Sequence, residues 1–202
     1  MRLFVYTRHN QCNHKLGETN YVVSVDPGVK TNGICVLDKA SMSLDMEAYE
    51  EPKINANKIF LPFFYAFVRK QVQRFIDTKI KPLNGNVECV VEFAHMTGEF
   101  SLGMSVVVAT WLYLLFNVKK VKKVTLIPNR VPEFFLKKKS VTPIETVWFA
   151  RNALQEFVPE KDIAVHAYDA LLYILYTQYD LFQGRLSINV RKPEPQIVEV
   201  PW

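Results

Sequence analysis

The sequence predicts a mixed α/β domain in which a five-stranded sheet carries helices on both faces. Two observations lead to this prediction. Three short β-favouring segments follow one another between residues 21 and 49, as hairpin-connected strands do. After residue 54, helical patterns alternate with two further apolar strands. Hairpin strands followed by β-α alternation are typical of a sheet that is antiparallel in its first three strands and parallel in the rest.

The first three strands come early in the chain. Residues 21–25 form an apolar run that stops at Asp26-Pro27-Gly28, and a second strand over 33–37 follows a tight connection. A third strand is predicted over 43–49. The preceding residues, to about Asn20, are polar, and we expect them to be either an added strand or a loose arm.

The remaining elements alternate between helix and strand. They are a helix over 54–78, a strand over 86–93, an apolar helix over 101–116, a strand over 121–127, and helices over 142–157 and 163–179. Continuous apolar character in the strand 86–93 indicates burial on both faces, as at the centre of a sheet. Thr142, Pro143 and Glu145 fit the N-cap, first position and capping-box glutamate of one helix.

The length and composition indicate one domain. The chain has 202 residues, and its 49% of hydrophobic residues suffice for a core without disulfides. We expect the domain over 1–182, with 1–20 as an N-terminal extension, and 183–202 as a Pro-rich tail or a late strand. Cys12, Cys35 and Cys89 form no CxxC pair, so neither a zinc site nor a disulfide framework is predicted.

Four titratable residues fall at strand and helix ends that this architecture would bring together. Asp26 ends the first strand, Glu92 ends the fourth, and His166 and Asp169 share one face near the start of the last helix. Each alone has an ordinary explanation in a turn, a strand end or a helix. Together, clustered carboxylates repel one another, and a divalent cation relieves that repulsion. Mg²⁺ prefers such oxygen ligands, and two ions can promote phosphodiester cleavage.

Positive charge is concentrated in the second half of the chain. The formal net charge is +5, yet nine lysines and arginines lie between residues 119 and 151, opposed only by Glu133 and Glu145. A basic stretch of this kind is either a solvated surface or a contact for phosphates. Its position near the acidic residues favours phosphate contact. The candidate contacts are Arg130, Lys137, Lys138 and Lys139.

Four segments resemble, in order, the motifs of RuvC-type Holliday junction resolvases. The segment 22–38 (VVSVDPGVKTNGICVLD) resembles a strand ending in Asp-Pro-Gly, and 86–96 (NVECVVEFAHM) a strand ending in the catalytic glutamate. Residues 101–104 open an apolar helix as in that family, and 165–171 (VHAYDAL) resemble its last motif. The resemblance spans about residues 21–179, most of the chain.

The resemblance implies an RNase H-like sheet, two Mg²⁺ or Mn²⁺ ions per active site, and a homodimer that nicks opposed strands of a four-way DNA junction during recombination and repair. Asp26, Glu92, His166 and Asp169 would be the catalytic and metal-binding set. The first position of the last motif is often Asp in the family and is His166 here. Asp162 is an alternative ligand on the same helix face, although it also suits the helix N-cap.

Other positions depart from the bacterial pattern. The residue three positions after the glutamate, an aromatic that unstacks junction bases in bacterial members, is His95 here. Lys30, in the pattern Asp-x-Gly-x-Lys, is similar to the fungal mitochondrial and poxviral branches, so the branch and a phage or viral origin stay open. Lysines of the 137–139 region assist catalysis in bacterial members, which makes them candidates here.

Two other functions remain open from the sequence. The chain could be another nuclease on this fold, acting on RNA–DNA hybrids or flaps, or an inactive module that only binds nucleic acid. We expect a soluble intracellular protein, in the cytoplasm or another DNA-containing compartment. The start of the chain is too polar for a signal peptide, and the longest apolar stretch, 106–116, falls short of the roughly 20 residues that span a bilayer.

Overall fold

The structure is a computed structural model that describes residues 1–7, 19–28, 31–50, 61–93, 100–158 and 163–201. The strands are β1 (Arg2–Thr7), β2 (Tyr21–Asp26), β3 (Thr31–Asp38), β4 (Ser43–Glu50), β5 (Val87–Phe93), β6 (Val121–Pro128) and β7 (Gln196–Pro201). The helices are α1 (Leu61–Phe75), which continues as a π-helical turn (Ile76–Ile80), α2 (Phe100–Phe116), α3 (Val131–Leu136), α4 (Pro143–Ala153), α5 (Val165–Thr177) and α6 (Tyr179–Phe182).

The strands form one mixed sheet in the order β4-β3-β2-β5-β6-β1-β7. The strands β2, β3 and β4 form an antiparallel meander, while β5 runs parallel to β2 and β6 runs parallel to β5. This central arrangement is the one predicted. It makes β2 and β5 parallel neighbours, so that their C-terminal ends lie side by side.

The sheet has seven strands where the sequence predicted five. β1 adds antiparallel to β6, and β7 adds parallel to β1, so both termini extend the same edge. Of the alternatives expected for the termini, added strands are the ones observed. Their signal is weak in the sequence because β1 buries only Leu3 and Val5, and β7 buries none of its residues fully. Pairing of β1 with β6, and of β7 with β1, supplies the hydrogen bonds that make them strands.

The helices follow the predicted order with three differences. The last predicted helix divides into α5 and α6 at Gln178. The helix expected over 142–157 ends at Ala153. The short helix α3 has no counterpart among the predicted elements; it ends at Leu136 and is followed by Lys137, which has a left-handed backbone with φ of 56°. Residues 54–60 of the first predicted helix lie outside the described residues.

Helices cover both faces of the sheet and create two apolar cores. On one face, α5 packs against β2 and β3, and α3 and α4 pack against α5. On the other face, α1 packs against α2, and α2 contacts β5 and β6. Alternate residues of a strand point to opposite faces. Val22, Ser24 and Asp26 therefore share the face of β2 that carries α5, as the hydrogen bond from Ser24 Oγ to the Ala170 carbonyl shows.

None of the helices in the described part of the chain combines the length and the apolar character required to cross a membrane.

Candidate active site

Asp26 is held at the end of β2. The residue is only 7% exposed, and its backbone pairs with Gly33 of β3. Beyond the strand, the Gly28 N–H donates to Asn32 Oδ1 at 3.2 Å. The pairing with β3 fixes the position from which the Asp26 carboxylate leaves the sheet.

Glu92 reaches the same place from β5. The parallel register pairs Val25 with Val91, so the next residues along the two strands, Asp26 and Glu92, lie side by side at the sheet edge. Glu92 is 8% exposed, and its carboxyl group hydrogen-bonds to that of Asp26. The two acids are therefore neighbours because β2 and β5 pair in the sheet, although they are far apart in the sequence.

The first turns of α5 bring His166 and Asp169 to the pair. His166 Nδ1 lies 2.6 Å from Asp26 Oδ2. Ligand atoms of Asp26, His166 and Asp169 all lie within 4.8 Å of one another; Glu92 is outside that group of three but touches Asp26. All four residues predicted from the sequence thus meet in one place.

Burial makes these carboxyl groups hard to ionise. Burial raises the pKa of Asp26 to about 6; the hydrogen bond with Glu92 opposes this effect and the charge of Asp169 adds to it. Burial likewise raises the pKa of Asp169 to about 7, with a further contribution from Glu92 and an opposing one from His166. Burial and Asp26 together raise the pKa of Glu92 well above its usual range. Among the described residues, His166 opposes the rises in the pKa of Glu92 and Asp169, but its effect is smaller than that of burial.

The chemistry of this donor set fits a divalent metal ion. Among the described residues, the ion pairs of the structure include no lysine or arginine bonded to Asp26, Glu92 or Asp169, and His166 is the basic side chain in contact. Two or three carboxylates and an imidazole are ligands that Mg²⁺ or Mn²⁺ accept. A bound cation would compensate buried negative charge with which no lysine or arginine of the described residues forms an ion pair.

The cluster opens into a cavity of about 310 Å³. One wall is α5, and the opposite wall is formed by α3, the loop after it and the start of α4. Besides the four clustered residues, the lining comprises Asn129, Pro132, Glu133, Ser140, Val141, Pro143, Thr146, Val165 and Tyr173. The carboxylates are therefore accessible from one side, across a gap large enough for a ligand group.

Four of the predicted nucleic-acid contacts lie on or beside α3, which forms one wall of this cavity. Arg130, Lys137 and Lys139 are exposed there, and Arg130 Nε lies 3.9 Å from Glu133 Oε2. Lys138 is instead ion-paired with Glu145, whose carboxylate also caps α4 by accepting from the Thr142 N–H. Lys30, His95 and Asp162 lie outside the described residues.

Sequence reasoning missed Tyr173. Its hydroxyl donates to Glu92 Oε2 at 3.0 Å, and the residue is part of the lining of the cavity. Tyr173 follows Asp169 by four residues and therefore continues the helix face that carries His166 and Asp169. This spacing was the signal in the sequence that could have identified Tyr173 as a residue of the site. In the sequence, however, Tyr173 stands within an apolar run and looks like an ordinary core residue.

Comparison with known proteins gives a likeness in structure but not in sequence. The sequence matches no protein-family model and no curated protein. The structure of Thermus thermophilus RuvC in complex with a Holliday junction substrate is 16% identical, with a TM-score of 0.50, and the match covers 86% of this chain and 100% of that one. A second T. thermophilus RuvC structure is 16% identical with a TM-score of 0.45, covering 80% and 97%. The first match establishes a RuvC-like fold, as the motif resemblance implied.

Proposed function

We propose that this chain is a metal-dependent, structure-selective endodeoxyribonuclease that resolves four-way DNA junctions by hydrolytic nicking. One observation carries the proposal: on a RuvC-like fold, Asp26, Glu92, His166 and Asp169 meet in an open cavity although they come from three distant parts of the chain. A structure with this fold was solved with a Holliday junction substrate, which supports branched DNA as the substrate class.

The four clustered residues are the proposed ligands for two Mg²⁺ or Mn²⁺ ions. When bound, the ions neutralise charge on the scissile phosphate and assist attack by water. The protein prepares the site by burying Asp26 and Glu92 at the sheet edge, where no lysine or arginine among the described residues pairs with them. An imidazole in place of a fourth carboxylate leaves one negative charge fewer, which favours weaker binding of one of the two ions.

His166 has a fixed orientation in this proposal. Because Nδ1 lies 2.6 Å from Asp26 Oδ2, that contact sets the plane of the ring. The second nitrogen, Nε2, remains to contact a cation or to hold a proton of the attacking water. The side chain of His166 is 46% exposed, so a ligand in the cavity can reach it.

Exposed cations beside the cavity are the proposed contacts for the DNA backbone. Arg130, Lys137 and Lys139 flank the wall formed by α3 and the loop after it. Cations at the rim of an acidic site attract phosphates that the carboxylates alone would repel. Lys30 and His95 are proposed contacts on sequence grounds, and Lys138 would first have to leave Glu145.

We propose a homodimer because the outer face of α2 suits burial against a second copy of the chain. The 17 residues of this helix include no charged side chain, yet Ser105, Ala109 and Tyr113 are exposed at intervals of four. Tyr113 is 58% exposed, and Phe63 on the neighbouring helix α1 is 70% exposed. A charge-free helix face of this kind suits burial against a second copy, which would provide one active site for each opposed strand.

Cleavage of a synthetic four-way junction tests the function. We expect the wild-type protein to nick the junction in Mg²⁺ or Mn²⁺ and to leave linear duplex intact. Asp26→Asn should reduce the rate by about 1,000-fold or more, because a step that depends on charge neutralisation loses several kcal/mol. Junction binding in EDTA should remain. Asp180→Asn, at an exposed aspartate of α6 paired with Lys192, is the matched control and should cleave normally.

Three results would contradict the proposal. Undiminished cleavage by Asp26→Asn would remove the site assignment. Cleavage of RNA–DNA hybrids or flaps in preference to junctions would indicate a different nuclease on the same fold. Binding of nucleic acid without metal-dependent cleavage, and without a metal-induced rise in melting temperature, would indicate a binding module.

A further inference from the structure

Tyr173 connects α5 to Glu92, the acid near the end of β5. Its hydroxyl donates to Glu92 Oε2 at 3.0 Å, between side chains 81 residues apart in the sequence. Tyr173 is 2% exposed and Glu92 is 8% exposed, so water does not compete freely for this bond. A buried hydrogen bond to a carboxylate constrains the orientation of both groups.

The positions on α5 form a regular pattern. His166, Asp169 and Tyr173 follow the spacing i, i+3, i+7 and so share one helix face. Seven residues correspond to roughly 10 Å along a helix axis, close to two turns. His166 contacts Asp26 at one end of this stretch, and Tyr173 contacts Glu92 at the other. The helix therefore contacts both Asp26 and Glu92, and Asp169 lies between these two contacts along the helix.

The chemistry of the donor suits a cation site. A tyrosine hydroxyl constrains the Glu92 carboxylate while leaving its negative charge in place. A lysine or arginine at position 173 would instead neutralise that charge and compete with a metal ion. Glu92 has three rotatable side-chain bonds, so an unrestrained carboxylate would lose entropy on binding a cation.

We infer that Tyr173 is a positioning residue that holds the Glu92 carboxylate in the orientation required for cation binding. This inference rests on the proposed function of the site as cation-dependent. In this inference Tyr173 acts through Glu92, to which its hydroxyl donates. Residues that orient metal ligands in this way usually change metal affinity by about 10- to 100-fold when they are removed.

Direct Mn²⁺ binding to the full chain tests the inference. The spectroscopic signal of free Mn²⁺ in an electron paramagnetic resonance titration gives the dissociation constant without any activity measurement. Tyr173→Phe keeps the ring and removes the hydroxyl. The matched control is Tyr168→Phe, because Tyr168 is fully buried on the same helix and its hydroxyl accepts from Arg151 Nε at 3.0 Å. Tyr173→Met removes the hydroxyl with a different apolar side chain, in case Phe packs poorly.

The two tyrosine positions should differ in their effect on Mn²⁺ affinity. We expect Tyr173→Phe and Tyr173→Met to raise the Mn²⁺ dissociation constant by about tenfold or more. Tyr168→Phe should lower the melting temperature to a similar extent but leave the dissociation constant unchanged. Para-aminophenylalanine at position 173, which restores a donor in the same place, should recover the affinity. Wild-type Mn²⁺ affinity in folded Tyr173→Phe or Tyr173→Met, or an equal loss in Tyr168→Phe, would overturn the inference.

The same titration separates this inference from the proposed function. If the wild-type protein binds Mn²⁺ but cleaves no junction, the proposed function is wrong, and the Mn²⁺ affinities of the tyrosine variants still decide the role of Tyr173. If the wild-type protein binds no Mn²⁺, both are wrong.

Discussion

A β-carbon on Gly33 would lie within 3.0 Å of the backbone of His166 and Ala167. Gly33 is also the residue opposite Asp26 in the β2–β3 ladder. The absence of a side chain at this position therefore lets the first turn of α5 rest directly on the sheet beside Asp26. That close approach brings His166 Nδ1 within hydrogen-bond distance of Asp26 Oδ2.

Gly33→Ala should damage both stability and the site. The new methyl group meets backbone atoms that cannot rotate away, so α5 must move off the sheet. We expect a loss of about 2–3 kcal/mol in the free energy of unfolding, measured with urea, and a large loss of Mn²⁺ affinity. Gly103→Ala is the control, because its nearest neighbour, the Phe64 ring, is 4.0 Å away and α2 should gain up to about 1 kcal/mol. Equal behaviour of the two variants would contradict the role given to Gly33.

The stability of the metal-free protein should depend on pH through Asp169. Its pKa is about 7 in the folded protein against an ordinary value of 3.8. Because the folded value is the higher one, the stabilising contribution is complete below about pH 4 and is lost as the pH rises to about 7. Asp169→Asn stays neutral throughout and resembles the protonated acid.

This difference can be measured by urea unfolding in EDTA across the same pH range. Near pH 4 the variant should be about as stable as the wild-type protein, and at pH 8 it should be more stable by roughly 1–3 kcal/mol. Saturating Mn²⁺ should reverse the order at pH 8, because only the wild-type protein retains the ligand. A difference that does not change with pH would show that Asp169 ionises normally.

His166 and not Asp162 should complete the metal site. The contact between His166 Nδ1 and Asp26 Oδ2 already places the imidazole in the cluster. We expect His166→Ala to weaken Mn²⁺ binding by about tenfold or more. The change in the free energy of unfolding should stay below about 1 kcal/mol, since nearly half of the side chain is exposed. Asp162→Asn should bind Mn²⁺ normally; the opposite ranking would assign the position to Asp162.

The exposed lysines after α3 should contribute to DNA affinity by binding backbone phosphates. Replacing Lys137 and Lys139 by Gln should weaken junction binding about tenfold at moderate salt. The slope of log K against log salt concentration should fall by about 1 for each phosphate that the protein no longer binds. Lys192→Gln, at an exposed lysine paired with Asp180, is the control and should leave the slope unchanged. An unchanged slope in the double variant would exclude these two lysines from the DNA-binding surface.

The central fold and the acidic residues could be predicted because their signals are local. Asp26 and Glu92 each end an apolar strand, and His166 and Asp169 share a helix face at i and i+3. Strand ends and helix spacing depend on near neighbours in the sequence. Once β2 and β5 are taken as parallel neighbours, their carboxyl ends must meet at one edge.

The outer strands and α3 could not be predicted in the same way. β1 is a strand because it pairs with β6, and β7 is a strand because it pairs with β1; both partners lie far away in the sequence. The six residues of α3 are too few for a recognisable helical period, and burial of Val131 and Phe135 beside α5 stabilises them. In both cases, contacts with residues distant in the sequence stabilise an element that local sequence preference alone does not predict.

The sequence by itself determined which side chains can form a cation site and the elements that carry them. Only the tertiary structure decided that Tyr173 hydrogen-bonds to Glu92 and that Lys138 is paired with Glu145. It also decided that α5 approaches Gly33 closely enough for His166 to reach Asp26, across 140 residues of chain. The physical reason is that local spacing fixes the direction of a side chain along its own element. Its partners depend on how closely two elements pack, and that packing is set by residues distant in the sequence.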